Sequence, residues 1–366
     1  MIDESDRSKD LGWPSRLEDA TFLLGAGFSR AISDHMPLMV DLRDLIVGEL
    51  PATSPLASEL DGYLSMFDGD VEAVLAYLGE PPIFLDEATR LELQAKFVQV
   101  RRALTTGLQK AESLNLGIEP IGWLRHLVHW WHAHRSTVIT LNYDTLIERA
   151  ASAVLVWNVG GRDYSLAAEN LYCAPTSVLA SRFGTAVLGW TEHETFQLVK
   201  LHGSVSWHWP QVRQVSEPIF SEPIPAWESD TVYPLTEEKR SQLLAGLEPA
   251  VIPPVAAKSA FLNNLTIQAQ WKSAASARKR HLVVIGYSLP PGDGSVRQLL
   301  AQEFQDSHLI IVDLDKDVIA RFEIACPDRS GSRVIERSFI GRSDALPRLV
   351  DWLEEHAPVP PFEPNS

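Results

Sequence analysis

The sequence predicts an α/β fold in which a parallel sheet with crossover helices carries a large inserted helical module. Short apolar runs rich in β-branched residues recur along the chain, and several precede an amphipathic helical stretch, as in parallel sheets. These runs are 21–24, 137–141, 197–201, 250–252, 281–285 and 308–312. Between 42 and 135, apolar residues recur at helical spacing and strand signals are almost absent. The predicted architecture is therefore Rossmann-like with a helical insertion.

The domain boundaries follow from the same pattern. We expect a core of 21–41 and 136–326 that holds the sheet, preceded by an N-terminal extension at 1–20. We expect three further segments: a helical insertion at 42–135, a proline-rich excursion at 204–247, and a C-terminal strand and helix with a tail at 327–366. Proline lacks the amide that a central strand needs, so the excursion is predicted to be irregular.

Composition argues against several classes of protein. The 366 residues carry a formal net charge of −16, which disfavours nucleic-acid binding because such binding depends on clustered Lys and Arg. Cys173 and Cys326, the two cysteines, are too few for a four-cysteine zinc site and argue against a disulfide framework. No apolar run approaches the roughly 18 residues of a membrane span, and the acidic N-terminus does not resemble a signal peptide. We therefore expect a cytoplasmic protein without direct contact to nucleic acid or membrane.

The first apolar run leads directly into a glycine turn, G-A-G-F-S at 25–29. Glycine has no Cβ and adopts positive φ readily, so the amides of such a turn and of the following helix can approach a phosphate. The dehydrogenase fingerprint G-x-G-x-x-G is incomplete, because its third glycine falls on Arg30. The alternative is a tight strand-to-helix connection without a ligand. The candidate phosphate-binding residues are Gly25, Ala26, Gly27 and Ser29.

Polar residues follow the second run as Asn142-Tyr143-Asp144. The amide of Asn142 both donates and accepts, which suits recognition of a carboxamide such as that of nicotinamide. Asp144 has two interpretations of equal weight: a ligand contact, or a charge that stabilises the N-terminus of the next helix. Thr145 and Glu148 have the spacing of a capping box, which belongs to the second interpretation. For Asn142, which precedes the cap, a functional role is favoured.

The third run ends in His202-Gly203. A histidine at a strand end can accept a proton near neutral pH, and a glycine lets the backbone turn close to a substrate. A single histidine in such a place is more often structural than catalytic. His202 becomes a candidate base because Asn142 and the glycine turn occupy equivalent strand ends.

Two later runs end in the same manner. Gly286-Tyr287-Ser288 repeats the strand-to-glycine turn, and the Ser288 hydroxyl can bond a phosphate or ribose oxygen. Asp313 follows the next run, where an acid commonly holds ribose hydroxyls in dinucleotide-binding folds. The alternative for Asp313 is a cap on the following helix. Ribose binding is slightly favoured.

Taken together in this order, the motifs resemble those of the sirtuin-like NAD-binding family. They are G-A-G-F-S at 25–29, N-Y-D at 142–144, K-L-H-G-S at 200–204, G-Y-S at 286–288 and V-D at 312–313. The resemblance covers 21–326, and the coincidence with five strand ends is more specific than any one motif. It implies a pyrophosphate site at Gly25, Ala26, Gly27 and Ser29, a nicotinamide pocket at Asn142 and Asp144, His202 as the catalytic base, and an adenosine site at Gly286, Ser288 and Asp313.

The chain departs from the protein deacylases that it resembles. Those enzymes carry a zinc ribbon held by cysteines after the H-G motif, whereas 204–247 contains no cysteine. The departure points to the bacterial branch of sirtuin-like effectors that consume NAD in antiphage defence by abortive infection. The resemblance then implies an oligomeric NAD glycohydrolase that uses NAD as a substrate without a metal. It also implies a genomically adjacent partner, with a HerA-type ATPase favoured over an Argonaute or another ATPase.

The chemistry of NAD hydrolysis fits the candidate residues. Nicotinamide leaves as a neutral pyridine from a pyridinium, so no general acid is required. We expect Asn142 to position nicotinamide or the attacking water, and His202 to remove a proton from the ribose hydroxyl or the water. Two alternatives stay open: a non-catalytic module that senses NAD or ADP-ribose, and a protein deacylase or ADP-ribosyltransferase.

A histidine-rich stretch at 125–135 offers one further candidate site. Its spacing could bring two imidazoles together for a metal, but no carboxylate ligand lies among them. The tryptophans of the same stretch indicate a helix that packs its aromatic face. We expect no metal site there. The histidines are His126, His129, His132 and His134.

Overall fold

The computed structural model describes residues 19–114, 120–157, 163–165, 168–174, 177–178, 195–210, 219–224, 227, 238, 242–252, 263–290, 292–328, 331 and 333–359. Much of the predicted excursion and the whole of 1–18 and 360–366 lie outside these residues. Across the described part of the chain, no helix combines the length and the apolar character that a membrane span requires.

The strands form a six-stranded parallel sheet, a four-stranded sheet and a two-stranded hairpin. They are β1 (Ala20–Leu24), β2 (Thr137–Thr140), β3 (Leu155–Trp157), β4 (Asp163–Ser165), β5 (Ser177–Val178), β6 (Gln197–Lys200), β7 (Gly203–Pro210), β8 (Phe220–Ser221), β9 (Leu247–Val251), β10 (His281–Ile285), β11 (His308–Val312) and β12 (Ile335–Glu336).

The large sheet has the order β12-β11-β10-β1-β2-β6, and every neighbouring pair is parallel. Read in chain order, this is the 3-2-1-4-5-6 arrangement of doubly wound nucleotide-binding folds. The order reverses between β1 and β10, and ligands of such sheets bind beyond the carboxyl ends of the strands at that reversal. The predicted Rossmann-like α/β fold is therefore confirmed, and the predicted site residues follow the strands on both sides of its reversal.

Helices cover both faces of the sheet and fill the predicted insertion. They are α1 (Ala26–Ile32), a short 3-10 helix (Met39–Asp41), α2 (Leu42–Glu49), α3 (Leu56–Met66), α4 (Val71–Gly79), α5 (Glu87–Ser113), α6 (Gly122–Ala133), α7 (Leu146–Ala153), α8 (Ala168–Leu171), α9 (Leu265–Ser276), α10 (Gly294–Glu303), α11 (Val318–Ala325) and α12 (Ala345–His356). The stretch from α2 to α6 is a helical module between the first two strands of the sheet. The predicted helical module is thus present.

Alternate residues of each strand pack into two separate cores, because successive side chains of a strand point to opposite faces. Phe22 of β1 packs against Trp130 and Trp131 of α6, with ring centroids 5.6 and 5.5 Å away. On the opposite face, Leu23 lies in a cluster with residues of α9, α10 and α11. A strand that is buried on both faces appears in the sequence as a continuous apolar run, as observed for β1 and β10.

The prediction that the apolar run at 250–252 belongs to the parallel sheet is wrong. Most of it belongs to β9, which pairs antiparallel with β7 in the four-stranded sheet β5-β8-β7-β9. The sixth parallel strand is instead β12, two half-buried residues at the sheet edge that carry no run of apolar residues. An apolar run indicates burial, but it does not specify which sheet buries the strand.

The start of the proline-rich excursion also differs from the prediction. Residues 203–210 form β7, a strand that lies between β8 and β9 and whose register with β9 shifts between Gly203 and His208. Pro210 is its last residue, so the proline removes no hydrogen bond from the strand interior. The later prolines of the excursion lie outside this strand, and those at 218, 225 and 234 fall outside the described residues.

Candidate functional site at the sheet reversal

The glycine turns after β1 and β10 are in direct backbone contact at the reversal of the sheet. The Gly25 amide donates to the Ile285 carbonyl at 3.0 Å, and the Gly27 amide donates to the Gly286 carbonyl at 2.9 Å. A Cβ added at Gly27 would lie 2.7 Å from the Gly286 Cα, and one at Gly25 would lie 2.5 Å from the Gly286 oxygen. Both glycines are therefore required for the close approach of one turn to the other, whatever ligand binds nearby.

This contact reduces the number of amides that the turn can offer to a phosphate. Besides Gly25 and Gly27, Phe28 also donates within the protein, to the Gly25 carbonyl at 2.9 Å. The Ala26 amide has no partner among the described residues. Among the amides of Gly25, Ala26 and Gly27, that of Ala26 is thus the one left available to a phosphate by the described residues.

Asn142, Ser29 and Asp144 form one buried hydrogen-bonded cluster beside the turn. Asn142 Nδ2 donates to the Ser29 hydroxyl and to the Gly25 carbonyl, both at 2.8 Å. The Ser29 hydroxyl donates to Asp144 Oδ2 at 2.5 Å. The structure therefore brings together predicted site residues that are more than 100 positions apart in sequence. Ser29 acts here as the link between Asn142 and Asp144.

The orientation of the Asn142 amide follows from its partners. A carbonyl oxygen only accepts hydrogen bonds, so the amide group that faces Gly25 must be the NH₂. The Asn142 Oδ1 atom consequently points away from the turn, and it has no hydrogen-bond partner among the described residues. Asn142 thus presents an acceptor, held in one orientation, to anything that binds above the strand ends.

Asp144 is buried and its carboxylate has two partners. Besides Ser29, the Leu146 amide at the start of α7 donates to Asp144 Oδ1 at 3.2 Å.

The predicted capping box is wrong, because the Thr145 side chain makes no cap hydrogen bond and Glu148 accepts from Lys200 at 2.9 Å. Burial favours these pairings, because Lys200 is 1 % exposed and needs an anion beside it. Asp144 therefore both binds the helix start and supports Asn142 through Ser29.

Helix α5 of the insertion reaches the same helix start from the other side. Glu112 accepts from the Thr145 amide at 3.1 Å and from Arg149 Nε at 2.6 Å. One turn earlier in α5, Gln109 Nε2 donates to the Val205 carbonyl of β7 at 2.9 Å. The insertion thus contacts the segments that carry both Asn142 and His202. Nothing in the sequence around Glu112 and Gln109 distinguishes them from other polar residues of a long helix.

The Asp144 carboxyl should make the stability of the protein depend on pH. Burial raises its pKa to about 6, with Glu112 acting in the same direction and Lys200 opposing it. The folded state then holds the proton more tightly than the unfolded chain, so stability falls as the pH rises from about 4 to about 6. We expect the free energy of unfolding of the wild type, relative to Asp144→Asn, to fall by on the order of 1 kcal/mol between pH 5 and pH 7.5.

Urea unfolding at both pH values measures this difference. Asp317→Asn is the control for the loss of an exposed aspartate that precedes a helix. A difference for Asp144→Asn that is constant or grows with pH would contradict the assignment.

His202 follows β6, the strand next to β2, and so lies at the strand end adjacent to that of Asn142. It is buried, its carbonyl accepts from the Ile252 amide at 2.9 Å, and its ring lies 6.3 Å from that of Tyr143. Gly203 has φ of 77°, and an added Cβ would lie 1.8 Å from the Ala250 carbonyl oxygen. The glycine of the H-G motif therefore permits contact between β7 and β9. This contact is sufficient to explain why a glycine is required at 203, without the predicted close approach to a substrate.

The His202 ring faces an acid that the sequence interpretation missed. Nε2 of His202 lies 3.8 Å from Asp293 Oδ2, and that oxygen accepts from the Tyr287 hydroxyl at 3.0 Å. Asp293 precedes α10, where an aspartate is ordinarily interpreted as a helix cap.

Lys200 is a second residue whose role the sequence interpretation missed, although a charge inside the apolar run Leu-Val-Lys-Leu was a usable signal.

Ser288 and Asp313 lie on the other side of the reversal, beyond β10 and β11. Ser288 is exposed, and its carbonyl accepts from Arg321 Nε at 2.7 Å. Asp313 is half-buried, which raises the pKa of its carboxyl, and its Oδ1 accepts from the Asp315 amide at 2.8 Å. The Gly286 amide donates to the Val312 carbonyl at 2.9 Å and joins these two strand ends. The predicted residues thus form two groups, with Asn142 and His202 on one side of the reversal and Ser288 and Asp313 on the other.

Three of the four histidines of α6 and its C-terminus have separate partners. His126 contacts Glu354, His132 contacts Thr195, and His134 stacks on Trp130 with centroids 4.1 Å apart. Among the described residues, no group of three or more His, Cys, Asp or Glu side chains is placed to hold a metal ion. The aromatic face of α6 packs on β1, as the tryptophans of this stretch indicated.

The fold is that of an α/β protein with a doubly wound parallel sheet, and the candidate site residues lie at the strand ends around the reversal of that sheet. A family model described as a SIR2-like domain matches residues 136–313. The match supports a sirtuin-like family, whose domains are generally NAD-dependent enzymes. It spans Asn142, Asp144, His202, Ser288 and Asp313, and it begins after the first glycine turn. No curated protein matches the chain.

Proposed function

We propose that this protein is an NAD glycohydrolase that cleaves NAD to ADP-ribose and nicotinamide. The observation that carries the proposal is the arrangement of Asn142. Its amide is held by Gly25 and Ser29 with Oδ1 directed away from them, at the strand end adjacent to that of His202. The SIR2-like match over both residues supports an NAD-related reaction at this place.

Each side of the reversal would take one part of the dinucleotide. Asn142 and His202 would contact the nicotinamide riboside, and Asn142 Oδ1 would accept from the carboxamide or from the attacking water. The glycine turn, chiefly through the Ala26 amide, would meet the pyrophosphate. Ser288 and Asp313 would contact the adenosine, where a carboxylate suits ribose hydroxyls.

The bond that breaks joins the pyridinium nitrogen to the anomeric carbon of the ribose. Nicotinamide takes the bonding electron pair and leaves as a neutral molecule, so a protonated acid is unnecessary. Water forms the new bond, and His202 takes the proton released from it or from the ribose hydroxyl. Asp144 contributes indirectly, because through Ser29 it fixes the amide of Asn142 before the substrate binds.

We further propose that the enzyme acts in antiphage defence and depletes NAD when it is activated. It would act as an oligomer together with an ATPase encoded beside its gene, and a HerA-type ATPase is the favoured partner. The resemblance of the motifs to defence effectors supports this role. The absence of cysteine from 204–247 also supports it over deacylation, since no zinc ribbon of the deacylase type can form there.

Incubation of the purified full-length chain with NAD tests the proposal. Nicotinamide and ADP-ribose are quantified by mass spectrometry, for the chain alone and with each protein encoded beside its gene, with and without phage. We expect NAD loss in at least one of these mixtures. An acylated peptide in parallel reactions separates hydrolysis from deacylation, because only a deacylase forms a peptide-dependent product. Intact NAD in every mixture would contradict the proposal.

A further inference from the structure

Asp293 is the acid beside His202, and its surroundings indicate a role in the proposed chemistry. Asp293, Tyr287 and His202 are all buried, at 3, 6 and 4 % exposure. A buried carboxylate is costly unless a donor or a positive charge compensates it. The Tyr287 hydroxyl supplies a donor at 3.0 Å, and the His202 Nε2 atom faces the same carboxylate oxygen at 3.8 Å.

The position of Asp293 makes this arrangement unusual. Asp293 is the residue immediately before α10, where an aspartate side chain ordinarily accepts from the first helical amides. Its side chain makes no such hydrogen bond. The helix start therefore does without the capping bond, while the carboxylate is directed toward Tyr287 and His202.

Two backbone carbonyls between Tyr287 and Asp293 accept hydrogen bonds from the helix that follows. Arg297 of α10 donates from Nε to the Pro290 carbonyl at 3.1 Å and from Nη2 to the Leu289 carbonyl at 2.6 Å. Leu289 has φ of 54°, a conformation that a bulky residue keeps only where its surroundings enforce it. The backbone at Leu289 and Pro290, between Tyr287 and Asp293, is thus restrained.

We propose that Asp293, held by Tyr287, is a positioning residue for His202. Its negative charge stabilises the imidazolium that forms when His202 takes a proton from the ribose hydroxyl or water, and it keeps the ring oriented toward the strand ends. This role rests on the proposed function. The separation of 3.8 Å means that Asp293 acts by charge before the reaction, and we expect it to shorten to a hydrogen bond once the ring is protonated.

Asp293→Asn tests the effect of the Asp293 charge on His202, and Tyr287→Phe tests the effect of the hydrogen bond that Tyr287 donates to Asp293. Asparagine keeps the shape and an acceptor for Tyr287, so we expect the KM for NAD to stay within about threefold while kcat falls on the order of 10- to 100-fold. Tyr287→Phe removes only the hydroxyl and should lower kcat by roughly 3- to 10-fold. Asp317→Asn is the matched control, because Asp317 also precedes a helix without a side-chain cap bond, and it should leave kcat unchanged.

A second readout does not depend on turnover. In NMR spectra of the full-length protein with labelled histidine, the spectrum of His202→Gln identifies the His202 signal. Loss of the Asp293 charge should move the midpoint of its titration to lower pH by about 1 unit. Among the described residues, the phenols of Tyr143 and Tyr287 are titratable groups beside this pair, and neither changes in Asp293→Asn.

The two readouts separate the two proposals. If the wild type hydrolyses no NAD, the proposed function fails, and the titration still decides whether Asp293 acts on His202. An unchanged His202 midpoint in Asp293→Asn overturns the positioning role, even where the variant is less active. A fully active Asp293→Asn overturns it as well.

Discussion

His202→Ala and Asn142→Ala should each lower nicotinamide release by on the order of 10²- to 10⁴-fold under conditions where the wild type is active. His202→Ala removes the residue proposed to take the proton from the nucleophile or the ribose hydroxyl. Asn142→Ala removes the oriented acceptor and also the bonds to Gly25 and Ser29. The second variant should therefore lose some stability as well, of about 1 to 3 kcal/mol.

The control for these variants is His208→Gln. His208 lies on β7 in the same segment as His202 and is equally buried, but it pairs with Glu222 at 2.6 Å. Its substitution should lower stability through the broken pair and leave kcat near that of the wild type. Full activity in both His202→Ala and Asn142→Ala would contradict the assignment of the site.

Gly286→Ala should strongly destabilise the protein. Gly286 has φ of 60°, and an added Cβ would lie 2.4 Å from the Gly27 carbonyl carbon and the Phe28 nitrogen. These are backbone atoms of the adjacent turn, so the two turns would have to separate and lose the Gly27–Gly286 hydrogen bond. We expect a loss of roughly 3 to 5 kcal/mol in the free energy of unfolding. Any remaining folded protein should bind NAD weakly.

Gly246→Ala isolates the conformational part of this effect. Gly246 has φ of 74°, and an added Cβ there would meet no atom within 4 Å. Its loss should be about 1 to 2 kcal/mol, the cost of a left-handed conformation for an L residue. Chemical denaturation of both variants gives the comparison. Equal stability of the two would mean that the turns after β1 and β10 are not in contact.

Much of the fold follows from the sequence because the strands of the large sheet are buried on both faces. β1, β10 and β11 are continuous apolar runs, and their boundaries match the predicted ones closely. β12 has only two half-buried residues, and β9 belongs to another sheet. Burial determines apolar character, whereas the choice of sheet depends on tertiary pairing that a single strand does not encode.

The candidate site was predictable to the level of strand ends, since parallel strands bring their carboxyl ends to one edge. The contacts within it were not predictable. Ser29 and Asn142 are joined by a hydrogen bond across 113 residues of sequence. Glu148 does not form the predicted capping box, because it pairs with the buried Lys200. In each case, tertiary contacts override a local rule.

The identity of the products tests the central claim most directly. The wild-type protein, in the mixture that supports NAD loss, should release nicotinamide and ADP-ribose in a 1:1 ratio with no acyl peptide present. Asn142→Ala and His202→Ala should release both products at least about 100-fold more slowly. Nicotinamide release without free ADP-ribose, with the ADP-ribosyl group recovered on protein or peptide, would contradict hydrolysis and indicate a transferase.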